Sequence, residues 1–310
     1  MQFPSRRFPQ LFAAAAAAAF VPHAAAIDML VGLTADNRLV SFKSNTPTQL
    51  TNNVAITGMQ AGETMLAIDL RPSNGRLYGL GSSNRVYVLD TASGAATSSV
   101  AMSGGLLTGN AFGMDFNPVA DAAGLPSLRV VSDLELNLRI NVTSGEVTVD
   151  NPLQAGNPLG SVNPTIGGSA YSNNVPGATS TTLYNIDYNF DRLVIQSPPN
   201  EGRLTRVGEL SPLTPPPLGA NVTTDLLGFD ISGPSGIAFA SLTAPTSTSS
   251  QLFTIDLSSG AATLVGGIGD NQLLRGLAVV SVVPEPASFL LLGLGLAGLL
   301  GHARRRSSVG

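Results

Sequence analysis

Three aspartates occupy matching positions in the middle of the chain and are the side chains best placed to do chemistry. Asp69, Asp115 and Asp230 each stand between two apolar residues of a short hydrophobic segment. Carboxylate oxygens are the ligands that a hard cation such as Ca²⁺ prefers, so the three are candidate metal ligands. The simpler interpretation, which the sequence favours, is that the carboxylates are separated and accept hydrogen bonds from backbone N–H groups.

Amide side chains extend this candidate set. Asn117, Asn173 and Asn174 lie near the aspartates in the repeat pattern described below. A further run, residues 185–191, alternates oxygen-bearing side chains as part of a calcium loop would. It lacks the turn glycine and the distal bidentate acid of an EF-hand, and a strand that runs into a hairpin shows the same alternation. We favour the strand.

Tyrosine is the remaining residue type that could contact a ligand, by stacking on a sugar. The chain has no tryptophan, and tyrosine in such strands is more often packed against neighbours. Packing is therefore the favoured interpretation for all five: Tyr78, Tyr87, Tyr171, Tyr184 and Tyr188.

Histidine and cysteine usage excludes several kinds of catalysis. The chain has no cysteine, and its two histidines, His23 and His302, lie in terminal segments that we expect to be removed. A mature domain without either residue has no Ser–His or Cys–His nucleophile pair and no zinc site of the usual ligands. We assign no catalytic residues.

The charge balance argues against a nucleic-acid partner. Residues 27–283 contain 19 acidic and 11 basic side chains, a net charge of about −8. An acidic surface with scattered arginines repels a phosphate backbone.

The first 26 residues have the pattern of a signal peptide. Arg6 and Arg7 precede an apolar run at residues 11–21, which is too short to span a bilayer. Ala24 and Ala26 then fit the A-x-A rule for signal peptidase cleavage. The pattern predicts export through the inner membrane.

The last 27 residues combine three elements in a fixed order. They are Pro284, Glu285 and Pro286, then the apolar run 289–300, then Arg304, Arg305 and Arg306. This order resembles the PEP-CTERM sorting signal of exopolysaccharide-forming Gram-negative bacteria. The resemblance implies a short transmembrane segment that anchors the protein transiently, and processing near residues 284–286 by an exosortase-type peptidase.

The segment between the two ends repeats itself. The sequence DTASGAAT at residues 90–97 returns as DLSSGAAT at 256–263 and as NVTSGEVT at 141–148, with looser copies at 43–50 and 196–205. Each copy follows an alternating apolar run, and its glycine can take the positive φ that a bulged hairpin requires. The repeat predicts a tight turn between two antiparallel strands.

Two further short strands precede each copy, so the unit has four strands in about 50 residues. That pattern is typical of a β-propeller blade. The first unit starts one strand late, and residues 276–280 form an extra strand at the end, which we expect to complete the first blade and close the ring. We therefore predict an all-β propeller of about five blades over residues 27–283, with six blades or a pair of β-sandwiches as alternatives.

The same region resembles a known family, the domain of unknown function 4394. The likeness rests on LRVVSD and NLRIN within residues 128–141, AYSNN at 170–174, and PPNEG at 198–202 followed by VG at 207–208. Residues 119–126 intervene as an extra loop where relatives often run directly into the next strand. The family implies no catalytic residues.

Together these features favour an exported, non-enzymatic binding or structural protein of the bacterial cell surface or exopolysaccharide matrix. Its expected partners are signal peptidase, an exosortase-type peptidase and extracellular polysaccharide or another surface protein. The alternative is a propeller hydrolase or lactonase that uses Ca²⁺ held by carboxylates, because that chemistry runs without histidine. No cofactor other than such a Ca²⁺ is expected.

Overall fold

A computed structural model describes residues 27–156, 163–210, 223–269 and 271–283, and strands predominate throughout this part of the chain. In chain order the strands are β1 Ile27–Thr34, β2 Arg38–Lys43, β3 Leu50–Ala55, β4 Met65–Arg71, β5 Arg76–Gly81, β6 Arg85–Leu89, β7 Ala96–Ala101, β8 Phe112–Phe116, β9 Ser127–Ser132, β10 Asn137–Asn141, β11 Val147–Val149, β12 Gln154–Ala155, β13 Ile166–Tyr171, β14 Leu183–Asp187, β15 Arg192–Gln196, β16 Arg203–Glu209, β17 Gly228–Ile231, β18 Ala238–Leu242, β19 Gln251–Ile255, β20 Ala262–Gly267 and β21 Leu274–Val283. A short helix, α1 Pro118–Ala122, follows β8, and a 3₁₀ helix, Pro199–Glu201, follows β15.

The strands form five sheets, each a four-stranded antiparallel blade. Blade 1 has the order β21-β1-β2-β3, blade 2 β4 to β7, blade 3 β8 to β11, blade 4 β13 to β16 and blade 5 β17 to β20. Blade 4 also carries β12 as a parallel strand on its outer edge. The predicted propeller of about five blades is confirmed, and both alternatives, six blades and a sandwich pair, are wrong.

Blade 1 is built from both ends of the described chain. Strand β21 pairs antiparallel with β1 from Ile27↔Val283 to Thr34↔Leu274 and becomes the innermost strand of the blade. The expectation that residues 276–280 complete the first blade is confirmed. The pairing covers strand edges that an open ring would expose.

The repeated turn also joins consecutive blades. In the copy at residues 90–97, the Asp90 carboxylate accepts hydrogen bonds from the Ala92 and Ser93 N–H groups, and Gly94 takes φ +75°. A Cβ atom on Gly94 would lie 2.2 Å from the carbonyl oxygen of Ala55, the last residue of β3 in blade 1. The turn therefore packs on the outer strand of the preceding blade, which is a second reason for glycine besides its positive φ.

The innermost strands approach one another too closely for most side chains. A Cβ atom on Gly113 of β8 would lie 2.7 Å from the Ser169 nitrogen of β13. Similarly, a Cβ atom on Gly228 of β17 would lie 2.4 Å from the Leu277 nitrogen of β21. These glycines let the inner strands pack backbone against backbone, so the axial channel is narrow.

Candidate functional site

The narrow channel brings the three candidate aspartates together. Asp69 lies on β4, Asp115 on β8 and Asp230 on β17, the innermost strands of blades 2, 3 and 5. One carboxylate oxygen from each lies within 4.8 Å of the other two, and the residues are only 1%, 1% and 2% exposed. The expectation that these acids are separated is therefore wrong, because the inner strands converge on the axis.

Each carboxylate accepts a hydrogen bond from the next blade around the ring. Asp69 Oδ2 accepts from the Phe116 N–H of blade 3 at 2.9 Å, and Asp115 Oδ2 accepts from the Tyr171 N–H of blade 4 at 2.8 Å. Asp230 Oδ2 accepts from the Val279 N–H of blade 1 at 2.6 Å. The acids do bind backbone N–H groups, as expected from sequence, but those of neighbouring inner strands, so they connect the blades.

Burial and crowding disfavour the charged form of all three groups. Burial raises the pKa of Asp69 and of Asp115 well above the usual range, and the charge of Asp230 raises both further. Burial is also the main cause that raises the pKa of Asp230 to about 7, against the hydrogen bonds from Val279 and Ile231. Without a cation, burial and crowding therefore favour the protonated carboxyl groups.

One oxygen of the cluster has no partner outside the cluster. Asp115 Oδ1 is buried and accepts no hydrogen bond from an N–H or hydroxyl group of the described residues, whereas the Asp115 and Asp69 carboxyl groups lie close enough to share a proton. The adjoining cavity on the axis, lined by Gly113, Gly168 and Gly276 among others, has a volume of about 10 Å³. Such a cavity holds about one water molecule. The centre has room for an ion or a water but not for an organic substrate.

The amides proposed as further ligands lie elsewhere, with one exception. The Asn117 side chain accepts from Val119 and Ala120 N–H at the start of α1, and Asn173 is exposed and donates to Ser180. Asn174 does line the axial mouth, an apolar cavity of about 160 Å³. Its Oδ1 atom is buried and has no partner among the described residues.

The other candidate contacts are structural. Residues 185–191 form the end of β14 and its hairpin, where Asp187 pairs with Arg192 at 2.8 Å, so the strand interpretation is correct. Tyr78, Tyr87 and Tyr171 are at most 7% exposed and cannot stack on a surface sugar. Packing is the correct interpretation for these three tyrosines.

A cleft between blades 3 and 4 was not predicted from the sequence. It has a volume of about 460 Å³, and its lining includes Asn117, Leu125, Arg139, Thr148, Pro199 and Asn200. A second cavity of about 390 Å³ shares Asn117 and Pro199 with it. We call the two together the blade 3–4 cleft. The only signal for it in the sequence is the extra loop at residues 119–126.

That extra loop forms one wall of the cleft and is anchored at both ends. Pro118 begins α1, and the Asn117 side chain caps it. Asp121 is 4% exposed and pairs with Arg71 of blade 2 at 2.6 Å, and it also accepts from the Ser73 N–H. The insertion therefore bridges blades 2 and 3 rather than distorting blade 3.

A buried polar network fixes the floor of the cleft. Arg129, 2% exposed, donates to Asn137, to Asp150 and to Asn200 of blade 4 at 2.6 to 2.7 Å. Arg139 donates to both oxygens of Asp150 at 2.8 and 2.9 Å. Burial alone would raise the pKa of Asp150, but the hydrogen bonds from Arg139 and Arg129 lower it below the usual range. The groups that face the cleft are therefore held in fixed positions.

The terminal signals lie outside the described residues. These are the cleavage positions Ala24 and Ala26 and the tail with Pro284, Glu285, Pro286, Arg304, Arg305 and Arg306. Within residues 27–156, 163–210, 223–269 and 271–283, no helix is long and apolar enough to cross a membrane.

Comparison with protein families accounts for most of the chain. The model of the domain of unknown function (DUF4394) matches residues 38–278, which span all five blades. The chain belongs to this family. A second model, the PEP-CTERM protein-sorting motif, matches residues 282–306. Both predicted resemblances are confirmed. The DUF4394 propeller carries the PEP-CTERM motif, which implies export, sorting to the cell surface and processing by an exosortase.

Comparison with individual proteins adds little to the family assignment. No curated protein is significantly similar in sequence. Among solved structures, Kuenenia stuttgartiensis hydrazine synthase is similar at 15% identity and TM-score 0.38, over 69% of this chain and 53% of that one. A protein of unknown function from Bacteroides thetaiotaomicron VPI-5482 is similar at 18% identity and TM-score 0.46, over 81% and 63%. The DUF4394 chain thus spans between about half and two thirds of these chains.

Proposed function

We propose that this protein is a non-enzymatic component of the cell surface or exopolysaccharide matrix that binds extracellular polysaccharide in the blade 3–4 cleft. The observation that carries the proposal is the cleft itself. The larger of its two cavities, about 460 Å³, is in the range of small-molecule binding sites, and it is open at Leu125, which is 65% exposed.

The lining of the cleft suits a sugar better than an anion or an apolar ligand. Asn200, Thr148 and Arg139 offer hydrogen-bonding groups for hydroxyls, while Pro199 and Leu125 offer apolar surface for the C–H faces of a ring. Arg129 and Arg139 are both paired with Asp150, and the carboxylate of Glu146 also lines the cleft, so positive and negative charges there nearly balance. The buried network beneath it supports these groups before a ligand arrives, which lowers the entropic cost of binding.

The buried carboxylate centre supports a non-enzymatic role over the alternative of a Ca²⁺-dependent hydrolase or lactonase. A catalytic metal needs an open coordination position that a substrate can reach. Here the aspartates are at most 2% exposed, and they line neither the axial cavity of about 10 Å³ nor the axial mouth of about 160 Å³. A substrate would have to separate the inner strands to reach them.

The terminal segments complete the proposal. Signal peptidase would cleave after Ala26, and the apolar run 289–300 would hold the exported chain in the inner membrane with the arginines on the cytoplasmic side. An exosortase-type peptidase would then cleave near residues 284–286 and transfer the propeller to the cell surface or matrix.

Polysaccharide binding can be tested with one substitution in the cleft wall. Arg139→Gln removes the charged donor of a half-exposed side chain on β10, and we expect it to weaken binding to exopolysaccharide from the host at least tenfold in affinity electrophoresis. Arg85→Gln is the matched control, because Arg85 lies on β6, the corresponding strand of blade 2, away from the cleft.

Melting curves of both variants are the control for folding. A Tm equal to that of the wild type means that a loss of binding does not come from unfolding. Equal binding by Arg139→Gln and the wild type would contradict the proposal. Specific capture of a second surface protein by the wild type, abolished by Arg139→Gln, would assign the cleft to a protein partner instead.

A further inference from the structure

We propose that Asp69, Asp115 and Asp230 form a structural site for one divalent cation, best matched by Ca²⁺, which locks the ring of blades from its axis. This site is separate from the polysaccharide cleft, and neither proposal depends on the other. The bound cation would connect the inner strands through the three buried acids.

The distances within the cluster fit one coordination sphere. Calcium binds oxygen at about 2.3 to 2.6 Å, so two oxygens on opposite sides of one Ca²⁺ are about 4.6 to 5.2 Å apart. One oxygen from each aspartate lies within 4.8 Å of the others. Three oxygens spaced evenly around one ion at these distances lie about 4.0 to 4.5 Å apart, so a single ion can contact all three after at most a small adjustment of the side chains.

The unpartnered oxygen of Asp115 is the second observation that points to a ligand. Buried polar atoms are nearly always hydrogen-bonded, and an exception needs an explanation such as an ion or a water. Asp115 is 1% exposed, its Oδ2 binds the Tyr171 N–H, and its Oδ1 has no partner in the described structure outside the cluster, where only the Asp69 carboxyl can share a proton with it. The bond to Tyr171 fixes the carboxylate, as outer-shell contacts fix the ligands of known metal sites.

The charge of the three aspartates also favours a bound cation. None of the ion pairs formed within the described residues includes Asp69, Asp115 or Asp230. Three buried carboxylates without a cationic partner are costly, and a divalent ion would offset most of their charge.

The chemistry of the site selects the ion. The cluster supplies only oxygen, and the described domain contains no histidine or cysteine, so a hard cation is required. Magnesium usually keeps several of its waters, whereas the adjoining cavity of about 10 Å³ holds about one. Calcium tolerates irregular geometry and direct carboxylate contacts, so it fits better.

The position of the site explains how an ion would stabilise the fold. The three aspartates already bind across three of the five junctions between blades, namely 2 to 3, 3 to 4 and 5 to 1. One ion that contacts all of them would connect blades 2, 3 and 5 directly. The apolar mouth formed by Leu70, Ile231 and Val279 would shield it from water.

The test is a melting experiment on the exported protein with and without chelator. We expect EDTA to lower the Tm by several degrees and added Ca²⁺ to restore it, rising further with Ca²⁺ concentration as mass action requires. Asp115→Asn should abolish this response. Asp187→Asn is the matched control: Asp187 is a buried aspartate of blade 4 outside the cluster, so its variant should keep the response even if its Tm is lower.

If Asp115→Asn does not fold, equilibrium dialysis of the wild type against radioactive Ca²⁺ decides the question, with one ion per chain expected. A wild-type Tm that EDTA leaves unchanged, together with no retained Ca²⁺, would overturn the proposal. So would a Ca²⁺ response that survives in Asp115→Asn.

Discussion

The inner-strand position that carries an aspartate in blades 2, 3 and 5 carries alanine in the other two. Ala278 of blade 1 and Ala170 of blade 4 precede the residues whose N–H groups bind Asp230 and Asp115. Both alanines are fully buried. Five carboxylates in so narrow a channel would repel one another strongly, so alanine at two of the five positions limits the charge to what one divalent ion can largely offset.

The protonation of these acids predicts how the metal-free protein responds to pH. The folded-state pKa of Asp230 is about 7, whereas an unfolded aspartate has a pKa of about 3.9. Between these values the folded chain keeps a proton that the unfolded chain has lost. This stabilising contribution is complete below about pH 4 and disappears as the pH rises through 7, by about 1.4 kcal/mol per pH unit for one proton.

In EDTA, the free energy of unfolding should therefore fall between pH 5 and pH 8, as urea titrations would measure. Asp230→Asn carries no titrating group at that position and should show a weaker fall. A wild-type stability that is constant or rises over this range would show that the cluster is not protonated in the metal-free fold.

The identity of the candidate ligands could be predicted from sequence, but their convergence could not. Repetition alone placed Asp69, Asp115 and Asp230 at one strand position. Whether side chains at such a position meet depends on the width of the channel, which is set by close backbone contacts at Gly113 and Gly228. Those contacts join strands about 50 residues apart and leave no local pattern.

Strand β21 closes the ring of blades. It pairs with β1 over its whole length, and Val279 in this strand binds Asp230. We expect deletion of residues 274–283 to expose the edge of β1 and to replace one sharp thermal transition with a broad one at lower temperature. Calorimetry of the exported wild type and the deletion variant measures this difference. Equal Tm and equal sharpness would mean that blade 1 is stable without its inner strand.

The regular strands were predictable because each blade repeats a strong local pattern of alternating apolar residues and a glycine turn. Two features could not be predicted from the sequence: the packing of the turn and helix α1. The turn at residues 90–97 reads as a hairpin, but its packing against Ala55 of the preceding blade follows from ring geometry. Helix α1 is too short for a periodic signal, and its anchor to Arg71 involves a residue 50 positions away from Asp121. The cleft is lined by residues of α1, blade 3 and blade 4 that are far apart in sequence, so no local pattern predicts it.

At the scale of the whole molecule, an exported domain must stay folded outside the cell. The mature domain has no cysteine, so no disulfide can hold it together outside the cell. A ring closed by its two terminal strands leaves few exposed edges, and a cation on the axis would connect blades that are far apart in sequence. Calcium is a reasonable replacement for disulfides if the surface environment supplies it.

Native mass spectrometry of the protein exported by its own host is the measurement that bears most directly on a cation-locked ring. We expect a folded chain that begins near Ile27, ends near residues 284–286 and carries one Ca²⁺, with Asp115→Asn carrying none. A folded wild-type chain whose mass leaves no room for a bound metal ion would contradict the cation site.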